Sequence, residues 1–213
     1  MQNPNDLRAE RSLSVFDIPQ VLQVSYVYSL PVGRGKRFGG NIHPILNTII
    51  GDWQLTGIWR LNNGRPVILT QANGARSIPT YGLRPTLNGP LKVNHAHEAG
   101  ISTMGNVPAA LYFSNWATAL STTPEFTLGN APRTYGGARQ PGTKIASMAL
   151  QKEFQMGRLR EGMRMEFRAE AFNVFNHPQF GNVNTALGDS FFGTISGLAQ
   201  SMRQMQLGLK LYF

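Results

Sequence analysis

The 213-residue sequence predicts an all-β fold, an antiparallel meander of about five to six strands, on three observations. Several stretches alternate apolar and polar residues with a period of two, which suits a strand and would scatter the apolar residues around a helix. Gly 23 and Pro 13 favour many turns over a mostly helical chain. Two long stretches rich in Gly, Pro, Asn, Ser and Thr carry little alternation and separate the strands. The clearest strand is C-terminal, Arg203 to Phe213. Met205, Leu207, Leu209, Leu211 and Phe213 take every second position, and Gln204, Gln206, Gly208, Lys210 and Tyr212 fill those between. One face is apolar, the other polar and small.

In chain order, residues 1–18 read as a polar, irregular lead-in. Strand one starts at Gln20, with Leu22, Val24, Tyr26, Tyr28 and Leu30 on one face and Gln23, Ser25, Ser29 and the exception Val27 on the other. Pro19 and Pro31 suit its ends. The next segment, P-V-G-R-G-K-R-F-G-G, places Gly33, Gly35 and Gly39 at a spacing that misses the dinucleotide fingerprint. Lys36 is followed by Arg37 rather than Ser or Thr, which misses the phosphate loop. A basic turn is expected. Ile42, Ile45, Leu46, Ile49 and Ile50 repeat at helical spacing, which predicts a short helical cap within that turn.

Strand two starts near Asp52, with Trp53, Leu55, Gly57, Trp59 and Leu61 opposite Gln54, Thr56, Arg60 and Asn62, and Ile58 intruding on the polar side. Asn63-Gly64 could close a hairpin, but the preferred reading continues the strand through Pro66 to Thr70. Residues 71–142 form the first long connection. His95, His97 and Glu98 lie close together there without meeting the H-E-x-x-H pattern, so no metal site is expected.

Strand three, Lys144 to Phe154, sets Ala146, Met148, Leu150 and Phe154 against Ser147, Ala149, Gln151 and Glu153. Lys152 breaks the apolar side, where a long side chain can snorkel. After a turn from Gln155 to Gly162, strand four sets Met163, Met165, Phe167, Ala169 and Ala171 against Arg164, Glu166, Arg168 and Glu170. Charges of alternating sign cannot enter a dry core cheaply, so this face needs water. Asn173 to Pro178 ends the strand, Gln179 to Ala199 is the second long connection, and the C-terminal strand follows.

Several function classes drop out. Cysteine is absent, which excludes disulfides and cysteine metal sites. His43, His95, His97 and His177 offer few nucleophile–base arrangements and no Ser, His and acid motif stands out, so neither an enzyme nor a cofactor is expected. Net charge is +9, but the basic residues are dispersed and the densest cluster, Arg34, Lys36 and Arg37, is short. Nucleic acid is not an expected partner.

No run of about 18 apolar residues exists, so no transmembrane helix is predicted, while alternating strands are what a membrane barrel carries. With the C-terminus at the periplasmic side, the connections after strands one and three are short and those after two and four are long. Short periplasmic turns and long extracellular loops are the barrel pattern. Tyr28, Trp53, Phe154 and Phe213 then fall at the periplasmic interface and Phe175 at the opposite rim, as aromatic girdles require. Arg164, Glu166, Arg168 and Glu170 face the lumen, and the apolar faces meet outer-membrane lipid. Five strands cannot close a barrel, and Met1 to Arg11 lacks the apolar region of a signal peptide. Residues 1–213 are therefore expected to be the C-terminal portion of a larger barrel domain.

F-R-A-E-A-F-N-V-F-N-H-P-Q-F-G (Phe167 to Gly181), F-G-T-I-S-G (Phe192 to Gly197) and Q-L-G-L-K-L-Y-F (Gln206 to Phe213) resemble the end of TonB-dependent outer-membrane transporters, particularly the Oar-like barrels. L-P-V-G-R-G-K-R-F (Leu30 to Phe38) and G-D-W-Q-L-T-G-I-W (Gly51 to Trp59) are similar to that group as well. The resemblance implies a barrel of about 22 strands around a plug, driven through TonB by the proton gradient of the inner membrane. It implies that the lumen-facing charges contact the plug, that plug and TonB are reached through an N-terminal part lying outside this sequence, and that Leu209, Leu211, Tyr212 and Phe213 form the signal read by the barrel-assembly machinery. Two other readings stay open: a passive porin-like or adhesive structural barrel, and a soluble β-sheet binding module for acidic ligands.

Overall fold

The computed structural model describes residues 2–72, 82–94, 112–157, 160–195 and 197–213. The first half holds β1 (Val21–Ser29), α1 (Pro44–Ile50), β2 (Gln54–Asn62), β3 (Pro66–Val67), β4 (Thr70–Gln71) and β5 (Thr86–Leu87). The second holds α2 (Trp116–Ala119), β6 (Leu120–Ser121), β7 (Tyr135–Arg139), β8 (Thr143–Gln155), β9 (Arg164–Phe172), β10 (Ala186–Leu187) and β11 (Gln204–Tyr212). The chain divides into two compact units.

One unit, residues 22–61, 144–178 and 201–213, is a five-stranded sheet in the order β1-β2-β8-β9-β11. Strands one, three, four and five are the predicted ones, within a residue or two at each end, and strand two matches at its start only. The Leu30 amide donates to the Trp53 carbonyl at 2.8 Å, as an antiparallel β1–β2 pair requires. Register is fixed from β8 through β11: Leu150 pairs with Ala169 and Ala169 with Leu207, while Gln151 pairs with Arg168 and Arg168 with Gly208. Apolar residues therefore meet apolar residues along one face and polar ones along the other. A slip of one residue would invert both faces, so the alternation specifies the pairing. The sheet is an all-β antiparallel meander, and β1 and β11 stand at its edges.

The predicted helical cap is α1. His43 Nδ1 accepts from the Ile45 amide at 3.4 Å, and Pro44 sits at the first helical turn, where its missing N–H costs nothing. At the end of β9, Asn173 and Asn176 take positive φ of 51° and 53°. The Asn173 side chain accepts from the His177 amide at 3.0 Å and donates to the His177 carbonyl at 2.9 Å, closing the N-V-F-N turn.

The second unit gathers residues 1–21, 62–143 and 179–200. It corrects two expectations. Strand two does not run on to Thr70: β2 stops at Asn62, and Pro66–Val67 pairs antiparallel with β7 in a separate ribbon, shifted in register between the two residues. Pro66 lacks an N–H for a central ladder, which is why the long strand breaks before it. The 71–142 connection is not structureless. Val67, Leu69, Leu91, Phe113, Leu120, Tyr135, Val183, Leu187 and Phe192 share one core, and β4 pairs in parallel with β10, joining both long connections. Phe192 packs against Phe113 with its ring tilted, at 5.9 Å, and edge-on against Trp116 at 5.5 Å.

The N-terminal lead-in is irregular but pinned. Arg84 Nη2 donates to Glu10 Oε1 at 2.9 Å, with both side chains at most 9% exposed, and Arg84 Nε donates to Gln2 Oε1. Arg139 Nη2 likewise meets Asp17 Oδ2 at 2.6 Å. His95, His97 and Glu98 lie outside the described residues.

Candidate functional site: a wall with one wet and one bare face

The polar face of the sheet brings together the charges that the sequence placed on strand four. Arg168 Nη2 lies 2.7 Å from Glu170 Oε1, and Arg164 Nε lies 3.9 Å from Glu153 Oε1 across the β8–β9 pair. Gln206 on β11 donates to Glu170, and Gln151 on β8 donates to Gln54 on β2. A depression of about 410 Å³ opens on the sheet, lined by Ser25, Thr56, Ser147, Arg168 and Glu170 among others. Both arginines are about half exposed to solvent, so each ion pair contributes little stability. Their consequence is a fixed, hydrated pattern of charge.

Tyr212 is the member of this face whose contacts the sequence did not foretell. Its hydroxyl donates to Glu166 Oε2 at 3.0 Å, and its ring takes the Arg164 guanidinium at 4.4 Å and the Lys210 ammonium at 4.6 Å. The signal was available in its even-numbered position beside Lys210, opposite Arg164 in the register.

The opposite face is bare. Met205, Leu207, Leu209 and Leu211 are exposed, Leu207 to 73%, and Phe213 at the chain end to 85%. Among the described residues no second layer covers them. A soluble sheet would bury such a face; a barrel turns it to lipid.

The aromatics sort by end. Phe154 pairs with Met165 and Leu211 with the same Met165, so Phe154 and Phe213 reach one rim. Trp53 packs edge-on against Phe167 at 5.9 Å, at the end of β2 that also bonds to Leu30, two residues beyond Tyr28. Phe175 lies at the far rim. There it meets Trp59 of β2 edge-on at 5.5 Å.

Lys152 corrects the snorkelling expectation. Its register partner is Phe167, so it stands on the apolar face, yet it is only 4% exposed. Its ammonium donates to the carbonyls of Asn47, at 3.1 Å, and Gly51 at the end of α1, and lies 5.8 Å from the Trp53 ring and 5.2 Å from that of Phe154. The charge is spent on a helix C-terminus, where the backbone dipole favours a cation.

In the other unit the Glu10 carboxyl is buried, which disfavours its ionised form. The amides of Gln2 and Asn3 and the Arg84 guanidinium outweigh burial and hold its pKa below the ordinary carboxylate value. Among the described residues no group of three or more His, Asp or Glu side chains is placed to hold a metal ion.

An antiparallel sheet with one hydrated face, one bare apolar face and aromatics at both ends defines a section of outer-membrane β-barrel wall. Consistent with that, a family described as outer membrane beta barrel domain matches residues 1–206. The chain belongs to that family, and its place is the outer membrane. No curated protein and no solved structure matches it.

Proposed function

We propose that the chain is the C-terminal barrel portion of an Oar-like, TonB-dependent outer-membrane transporter, working in energy-coupled uptake of a substrate from outside the cell. The observation that carries this reading is the polar wall. Arg164, Glu166, Arg168 and Glu170, tied together by Tyr212, Gln206 and Glu153, offer both signs of charge at fixed positions. A plug domain filling the lumen needs such a surface, to be held by many weak, hydrated contacts and still be displaced. The folded unit built from residues 1–21, 62–143 and 179–200 supplies a structured extracellular surface for capture of substrate. The motifs from Phe167 to Gly181 and from Gln206 to Phe213 support the same family. The final residues Leu209, Leu211, Tyr212 and Phe213, on an edge strand with its apolar side bare, suit recognition by the barrel-assembly machinery.

The test uses the product of the full-length gene. A barrel filled by a plug is close to silent in a planar lipid bilayer and binds the periplasmic domain of TonB. Steady large-conductance pores with no TonB binding would overturn the proposal in favour of a passive barrel.

A further inference from the structure

The turn between β1 and β2, residues 30–53, holds more apolar surface than a turn needs. Ile45, Leu46, Ile49 and Ile50 on α1 are all exposed, Ile45 to 69% and Ile49 to 61%, and Phe38 is exposed beside them. No residue of α1 is buried. A seven-residue helix with no buried face has little intrinsic reason to form in water.

This helix is nevertheless held firmly. Lys152 takes the carbonyls of Asn47 and Gly51, and the Trp53 indole N–H donates to the carbonyl of Ile49 at 2.9 Å. The Asn47 side chain accepts from the Arg34 amide at 2.6 Å. It sits so tightly between two glycines that a β-carbon on Gly33 or Gly51 would come within 2.8 Å or 2.3 Å of its Oδ1. The clamps decide where α1 lies. Lys152 and Trp53 both stand on the apolar face of the sheet, by register with Phe167 and by ring contact with it. So α1 is fixed against the lipid-facing side at the rim carrying Tyr28, Phe154 and Phe213, and not over the lumen.

We propose that this turn is an interfacial foot: α1 lies in the headgroup layer of the periplasmic leaflet with its isoleucines among the upper acyl chains, and the basic loop ahead of it engages phospholipid phosphates. The occupant follows from continuity and charge. The exposed isoleucines extend the apolar belt of the barrel wall, which already faces lipid. Arg34, Lys36 and Arg37 are exposed in the same turn, where lipid phosphates would lie. Apolar residues beside basic ones, on a short helix parallel to the surface, is the composition of an interfacial anchor. The Gly51 carbonyl at the end of α1 could not be left unpaired near hydrocarbon, which accounts for a lysine on an otherwise apolar strand face.

Residues 1–213 contain no cysteine, so with any cysteine elsewhere in the full-length protein replaced by serine, a single nitroxide can be attached at Ile49→Cys, in nanodiscs of phosphatidylethanolamine and phosphatidylglycerol. Power-saturation measurements should show the label accessible to oxygen and several-fold less accessible to a water-soluble nickel relaxant than a label at Glu161→Cys in the other short turn. Equal nickel accessibility at both sites would overturn the proposal. So would a label at 49 shielded from both relaxants, the mark of a protein partner. Arg34→Gln with Arg37→Gln should move the Ile49 label towards water in phosphatidylglycerol discs, and no change would overturn the phosphate contact.

Discussion

The ring of Tyr26 on β1 lies over Gly57 on β2, in the space a side chain at 57 would occupy. A β-carbon there would stand 2.5 Å from the Tyr26 Cζ and Oη atoms. The glycine is thus a seat for an aromatic on the neighbouring strand, which covers backbone that would otherwise face lipid. Gly57→Val should expel the ring and lower the stability of the assembled barrel by about 1–3 kcal/mol. Urea titration of the full-length protein in lipid vesicles would show this, and the Tyr26→Ala change should lose most of its own effect in the Gly57→Val background.

The two faces of β11 should answer a charge in opposite ways. Leu207 stands near the middle of the strand on the bare side, opposite Ala169. Leu207→Arg places a cation in hydrocarbon and is expected to cost about 2–4 kcal/mol. Gly208→Arg, one residue along, faces Arg168 across the polar side and is expected to cost less, by repulsion screened in water. Folded, heat-modifiable protein in outer-membrane fractions should fall sharply for the first variant and little for the second. Equal losses would mean that the faces have been assigned to the wrong solvents.

Glu10 makes the unit outside the sheet sensitive to acid. Its folded pKa lies below its ordinary value of 4.5, so its contribution to stability is fully present above that value and is lost as pH falls through the lower, folded one. Protection of the Gln2 and Asn3 amides from hydrogen exchange, relative to the unfolded chain at the same pH, should therefore fall below about pH 4.5 in the native protein. In Glu10→Gln the exchange should be faster at neutral pH and lack that acid step. This variant leaves the Arg84 guanidinium buried without its anion, a change worth about 3–5 kcal/mol in comparable buried pairs.

The strands of the sheet were legible because lipid on one side and water on the other impose a strict period of two, and β11 obeys it without exception. Arg164 to Glu170 were legible for the same reason: charges had to share the wet side. Alternation fails in the unit with its own core. Val67, Leu69 and Phe113 are fully buried, but Val67 sits on a two-residue strand, Leu69 between two such strands and Phe113 on an isolated bridge, all too short to show a period. The pairing of Glu10 with Arg84 spans residues far apart in a polar segment, where composition says only that the chain is irregular. Lys152 was legible as an exception in its strand, but its partner was not, because a helix C-terminus brought there by a separate turn carries no sequence mark of its destination. Trp59 and Phe175 looked like unrelated aromatics until the end of β2 and the N-V-F-N turn were set side by side.

Lys152 separates charge from shape in the lipid-facing wall. Lys152→Met keeps a long apolar stem suited to that face, yet removes the donor from the carbonyls of Asn47 and Gly51. If the lysine were merely an unfavourable cation tolerated near the rim, the change should stabilise the barrel. The geometry predicts otherwise: the Gly51 carbonyl loses its donor and the Asn47 carbonyl keeps only the Gly51 amide, beside an apolar surface, at a cost of about 1–3 kcal/mol confined to the turn. Exchange of the Gly51 amide, which donates to the Asn47 carbonyl at 2.9 Å, should accelerate, while amides in the middle of β8 and β9 keep native protection. Lys152→Arg should retain much of the protection, since a guanidinium can still donate to two carbonyls. If the methionine variant instead slows exchange at Gly51, α1 is held by Trp53 and Asn47 alone.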